Sequence, residues 1–278
     1  MASFHSQNPD GPSSTILFRP FNSWASNNEW RVSLENEEAR CVTIGQRWLA
    51  VGTSSNNIRV FSLGGRQMMV FSLPGPIIAL AGYENLLAIT FFHGVLTESG
   101  VLSFLIFDTL LQSKVSEGYV AISPDSELQW FGFSESGVLI SIDTSGVMRG
   151  LFKKWSSSWV PMIESKKLKK NPKDVFWPVG ITSDSVMYGI CKNGQQFPLA
   201  SSKPVLSAFP LRISLLNAHM DYVELEGQHL LKSLLLSESF SLDDGNEKSH
   251  HKDKSSLDKI VLKLVRVCIL IYCFHDHC

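Results

Sequence analysis

The chain has 278 residues, of which 44% are hydrophobic and 18% charged, with a formal net charge of −1. That apolar content can bury a sizeable core and excludes disorder throughout. The near-neutral balance argues against a basic coat for nucleic acid, which needs a clear cationic excess.

The first fifteen residues, MASFHSQNPDGPSST, are polar and turn-rich with no apolar core, so they read as no secretory signal, and 1–14 are expected to be disordered. Ile16–Phe18 and Trp30–Leu34 read as two outer strands of a sheet whose inner strands are missing. A four-strand rhythm then begins: Cys41–Gly45, Trp48–Ser54, Ile58–Leu63 and Met68–Leu73, rich in Val, Ile, Phe and Trp. The gaps hold Gly, Asn, Ser and Arg. Short strands with turn chemistry at regular spacing mean antiparallel β-structure. Four of them in about 35–50 residues make one propeller blade.

A second unit reads as Ile77–Gly82, Leu86–Phe92, Leu102–Phe107 and a weaker strand at Tyr119–Ile122. The third is Gln129–Phe133, Val138–Ile142, Val147–Phe152 and Trp159–Ile163, and the fourth Phe176–Ile181, Val186–Cys191, Gln196–Leu199 and Val205–Phe209. Asp143-Thr-Ser-Gly146 and Lys192-Asn-Gly194 are hairpin signals. The propeller is expected over 15–212. Without a closing strand it would leave a raw edge, which invites association.

Beyond Pro210 the period changes. Val223, Leu230 and Leu234 fall at helical spacing, so a helix is read over Met220–Leu236 within a helical extension of 213–236, although Gly227 sits in its middle. Residues 237–256 are expected to be a disordered polar linker. Ser256 is placed as the N-cap of a final helix, 257–278, that becomes apolar on every face. Ile260–Phe274 is interrupted by Lys263 and Arg266 and is shorter than the roughly 20 residues of a membrane span, so no membrane association is expected.

Five cysteines are scattered without framework spacing, and Cys41 and Cys191 lie inside apolar runs, which points to free thiols in a reducing compartment. Lys166, Lys167, Lys169, Lys170 and Lys173 form the clearest charge feature; from Lys153 to Asp174 there are seven lysines against two acids. They fit a nuclear-import signal or a DNA-facing patch, and equally a solvated loop. Trp48, Trp130 and Trp177 sit within strands as core, whereas Trp24 and Trp155 lie in loop-like sequence and are candidate surface contacts. Cys268, Cys273, His275, His277 and Cys278 lack the paired spacing of a structural zinc site, and His250-His251 is weaker still. No nucleophile elbow, phosphate loop or dinucleotide fingerprint occurs, and His93 and His219 stand alone. No catalytic residue, metal or cofactor is expected.

Several segments resemble the second propeller of the replisome adaptor family, known as acidic nucleoplasmic DNA-binding protein, chromosome transmission fidelity protein, minichromosome loss protein, and WD-repeat and HMG-box DNA-binding protein. They are NSWASNNEWRVSL, CVTIGQRWLAVGTSSNNIRVFSLGGRQMMVFSLPGPIIALAG, LQWFGFSESGVLISIDTSGVMRGL, WSSSWVPMI, FWPVGI and GQQFPLASSKPVLSAFPLRISL, in order over roughly 15–235. The resemblance implies a six-bladed propeller followed by a helical bundle, assembling as a trimer. It implies a nuclear hub that couples the replicative helicase, through GINS, to DNA polymerase alpha and supports sister-chromatid cohesion, with DNA contact weak or indirect. It also implies that this chain lacks the amino-terminal propeller, the start of the second propeller and the HMG box, and that CILIYCFHDHC departs from the family. The expectation is an all-β partial propeller of about four to five blades with a short helical segment, acting as a non-enzymatic scaffold. The alternatives are a propeller hydrolase or lyase with a channel site, and a non-functional truncated product.

Overall fold

A computed structural model describes residues 13–20, 29–93, 101–192, 195, 197, 198, 205–215, 221–239 and 247–275. The described residues up to Val120 form one compact unit and those from Ala121 a second.

In the first unit β1 (Ser14–Phe18) pairs with β2 (Trp30–Leu34) as a two-stranded antiparallel sheet. β3 (Ala39–Ile44), β4 (Trp48–Thr53), β5 (Asn57–Ser62) and β6 (Gln67–Ser72) make a four-stranded meander. β7 (Ile77–Tyr83), β8 (Leu86–His93), β9 (Val101–Asp108) and β10 (Ser113–Tyr119) make the next. The inner strand β4 is buried along its whole length because WLAVGT is apolar or small on both faces. Two cores result, one on each side of the first meander. Leu49, Val51 and Phe61 pack with Ile16, Phe18 and Leu34. Trp48, Ala50, Ile58 and Val60 pack with Leu87, Ile89 and Phe91. Inter-sheet burial on both faces is the packing of propeller blades.

In the second unit β11 (Leu128–Phe133), β12 (Leu139–Asp143), β13 (Val147–Phe152) and β14 (Ser158–Glu164) form a third meander. β15 (Val175–Ile181), β16 (Ser185–Cys191) and β17 (Val205–Pro210) form a three-stranded sheet. Ile140, Ile142, Met148, Phe176, Val186 and Tyr188 share one core with Leu231 and Leu234 of α1 (Asp221–Ser239). α2 (Glu247–His275) packs on α1. The fold is all-β, a partial propeller followed by a short helical segment.

Four expectations change. The fourth strand of the second meander is Ser113–Tyr119, not Tyr119–Ile122, because SKVSEGY is a polar outer strand with a bulge at Lys114/Ser116 and carries little alternation to read. Gln196–Leu199 is not the third strand of the last sheet. Gln196 and Leu199 lie outside the described residues, Phe197 and Pro198 are not strand, and β17 pairs directly with β16. Ile213 and Ser214 are not helical; their N–H groups donate to the Gly227 and Pro161 carbonyls instead. α2 begins at Glu247, inside the stretch read as a linker, since the run after Gly245 has no Gly or Pro and is rich in Lys, a good helix former.

Candidate interaction surfaces

The lysine-rich segment follows β14. It opens as a 3₁₀ turn over Ser165–Leu168 that is tied to the β12–β13 hairpin: Ser165 N–H donates to the Gly146 carbonyl at 2.8 Å. Gly146 has φ of 85°, and a Cβ there would meet Ser165 Oγ at 2.5 Å, so glycine is required on both counts. Lys166, Lys167, Lys170 and Lys173 are exposed, and Lys167 pairs with Glu164 at 2.7 Å. Lys169 is half-buried, with Nζ 5.8 Å from the Phe176 ring centroid. Leu168 packs against the second unit's core. The segment is therefore an anchored turn that displays four lysines.

Trp155 is exposed at the end of a second 3₁₀ turn, Lys153–Trp155, which touches α1. Strand register separates this turn from the lysine segment. Phe152 pairs with Ser158 at one end of the β13–β14 ladder, and Val147 with Glu164 at the other. Seven residues of strand span about 20 Å. The seven lysines that look contiguous in sequence thus form two separate patches.

Trp24, His219, His277 and Cys278 lie outside the described residues, as do the side chains of His250, His251, Cys268, Cys273 and His275. Trp48 is buried, and its Nε1–H donates to the Glu84 carbonyl at 2.9 Å. Trp130 packs partly buried on the core, and Trp177 meets Phe197 edge-on at 5.4 Å. His93 is exposed. Among the described residues no cluster of three His, Cys, Asp or Glu could hold a metal ion, and no helix is long and apolar enough to cross a membrane.

Two charged networks escape the sequence reading. Arg59 of β5 grips Glu37 with Nε to Oε2 at 2.8 Å and Nη2 to Oε1 at 3.1 Å, and Asn57 Nδ2 donates to Oε1 at 2.8 Å. In β13 Arg149 Nη1 donates to Asp143 Oδ2 at 2.6 Å, and Nη2 donates to Ser123 Oγ at 2.8 Å. Asp143 also accepts from Ser145 Oγ at 2.6 Å and from the Ser123 and Val147 N–H groups. Both arginines are the third residue of the third strand, and both reach the loop that precedes the first strand of their sheet. This is a repeated staple.

Its electrostatics follow. The Arg59 hydrogen bonds hold the Glu37 carboxyl below its ordinary range. Burial alone would raise Asp143, but hydrogen bonds from Ser145, Arg149 and Ser123 outweigh it and hold the carboxyl well below the usual range. Both acids are therefore ionised at neutral pH and occupied by donors. The segment D-x-x-G-x-x-R could have signalled the second pair. Nothing local links Glu37 to Arg59, twenty-two positions on.

Residues 1–215 match the family described as minichromosome loss protein, Mcl1, middle region. The chain is 35% identical over 92% of its length to Protein ENHANCER OF LHP1 1 of Arabidopsis thaliana, covering 28% of that protein. It is 29% identical over 69% of its length to human WD repeat and HMG-box DNA-binding protein 1, covering 18% of it. To Minichromosome loss protein 1 of Schizosaccharomyces pombe it is 24% identical over 92% of its length, covering 34%. The chain thus spans about a third or less of these relatives. Among solved structures, a crystal structure of HIRA residues 644–1017 superposes with a TM-score of 0.43 at 14% identity, covering 85% of this chain and 66% of that one.

Proposed function

Because the chain belongs to the minichromosome loss protein family, as its middle region, we propose that it is a nuclear scaffold for replication and chromatin proteins. The observation that carries this reading is the family match over 1–215, which contains every described strand. Its relatives include proteins named for DNA binding and for minichromosome loss. In its finer form, the chain joins GINS to DNA polymerase alpha, supports cohesion and assembles as a trimer. DNA contact is weak or indirect, in keeping with a net charge of −1. The chain is not an enzyme: the two engaged acids, Glu37 and Asp143, serve to hold loops in place. Lys166, Lys167, Lys170 and Lys173 serve nuclear import. Trp155 is a partner contact, since exposed Trp is the residue type most enriched at binding hot spots.

The experiment is direct binding of the purified chain to purified GINS and to DNA polymerase alpha. Dissociation constants of about 10 μM or tighter are expected for at least one. Absence of binding to both at about 100 μM would remove the finer reading. Cytoplasmic retention of a fluorescent fusion would remove the nuclear scaffold altogether.

A further inference from the structure

The hairpin that joins β13 to β14 carries a cationic patch, Lys153 and Lys154, set apart from the lysine turn. Both lysines are exposed, as are Trp155 and Ser156. Lys153-Lys154-Trp155-Ser156 is the one place in the chain where a hydroxyl residue follows two adjacent lysines at this distance. A kinase that selects basic substrates does so with acidic side chains in its cleft, which pair with cations two and three positions before the acceptor.

The backbone favours the same residue. Ser156 has φ of 54° and ψ of 42°, and Ser157 has φ of 55°, two successive left-handed residues that each carry a Cβ. That conformation is disfavoured outside glycine and collects at functional sites. Neither serine lies in a strand: regular pairing stops at Phe152 and resumes at Ser158. Opening the turn toward extended backbone therefore relieves strain and sacrifices no ladder hydrogen bond. Three other serines meet only part of these conditions. Ser62, three positions after Arg59, is half-buried within β5. Ser33, two after Arg31, is paired in β2. Ser123, before Pro124, is held by Arg149.

We infer that Ser156 is a phosphorylation site for a basic-directed serine kinase. Its Oγ attacks the γ-phosphorus of a nucleoside triphosphate, and a P–O bond forms there. The bond from that phosphorus to the β–γ bridging oxygen breaks, and the nucleoside diphosphate leaves. The hydroxyl proton passes to a carboxylate base of the kinase. The phosphoserine dianion follows Lys153 and Lys154 in the same turn and brings their patch from two positive charges to about neutral. Trp155 stands between the lysines and the phosphate in the chain, so whatever meets the indole meets a neutral rim in place of a cationic one. The site stands whether or not Trp155 is a partner contact.

The test uses the full chain, ATP and the catalytic subunit of cyclic-AMP-dependent protein kinase, with phosphate located by mass spectrometry. Phosphate should enter at Ser156, at a rate within about tenfold of that for the free peptide LFKKWSSSWVP, residues 151–161, as for a turn that opens at little cost. Lys153→Gln with Lys154→Gln should slow the reaction at least about tenfold, and Ser156→Ala should remove it. Circular dichroism of each variant separates loss of the site from loss of the fold. A rate further below that of the peptide, phosphate at Ser157 or Ser158 in place of Ser156, or a smaller effect of the lysine pair overturns the inference.

Discussion

At the scale of single residues, the Asp143–Arg149 pair is the most consequential. The Asp143 side chain is fully buried and that of Arg149 partly buried, so removing the arginine leaves the carboxylate without its counter-charge and held by the Ser145, Ser123 and Val147 donors alone. Arg149→Ala should therefore destabilise the second unit by about 1.5–3 kcal/mol, the range for a hydrogen bond to a charged group, read by chemical denaturation. The Asp143 carboxyl titrates lower in the folded state than in the unfolded chain, so its contribution is complete above the ordinary carboxylate range and is lost as pH falls from that range toward the lowered folded-state value. Tm should drop more steeply below about pH 4 in the native chain than in Asp143→Asn. Parallel acid profiles would show that the pair contributes nothing. Cys41 is a second residue-scale case: burial pushes its thiol up to about 11, so it should stay unalkylated at neutral pH until the chain is unfolded.

At the scale of elements, α1 shows how packing overrides propensity. Ala at position 227 would gain about 1 kcal/mol of helix propensity. Its Cβ, however, would lie 2.5 Å from the Ile213 carbonyl oxygen, where the connecting segment donates to the helix backbone. Gly227→Ala should therefore lower stability, by about 1–3 kcal/mol as for other overpacked sites. A rise in Tm would show that the segment yields freely. The lysine turn divides in the same way. Serine at 166, 167, 170 and 173 together should move stability by no more than about 0.5 kcal/mol per site, while Lys169→Ser should cost more because its ammonium rests over Phe176. Retention of the fourfold variant in the nucleus would leave these lysines as a solvated surface alone.

At the scale of the whole molecule, the helical segment carries an uncovered apolar stripe. Ile260 of α2 is buried, whereas Val261, Leu262, Val265 and Ile269 are exposed. At 100° per residue those four fall within about 100° of one another, the width of a packing face. An exposed stripe of this kind promotes association. Leu262→Lys with Ile269→Lys should reduce light scattering of the purified chain without lowering Tm. Unchanged scattering would place the association elsewhere.

Strand order and the hairpins of the three meanders were legible in the sequence because each blade is a local meander, with short turns and period-two apolar runs. The second strand of each meander, buried on both faces, was the clearest. β10 and the last sheet's pairing were not, since a polar outer strand has no alternation to read, and the choice of β17 over Gln196–Leu199 is made by pairing with β16. Tertiary structure alone decided the Glu37–Arg59 staple, the separation of the lysines into two patches and the need for Gly227. Each depends on residues distant in sequence meeting at one place, or failing to meet. Periodicity records which way a side chain points along its own strand, but not what lies across from it.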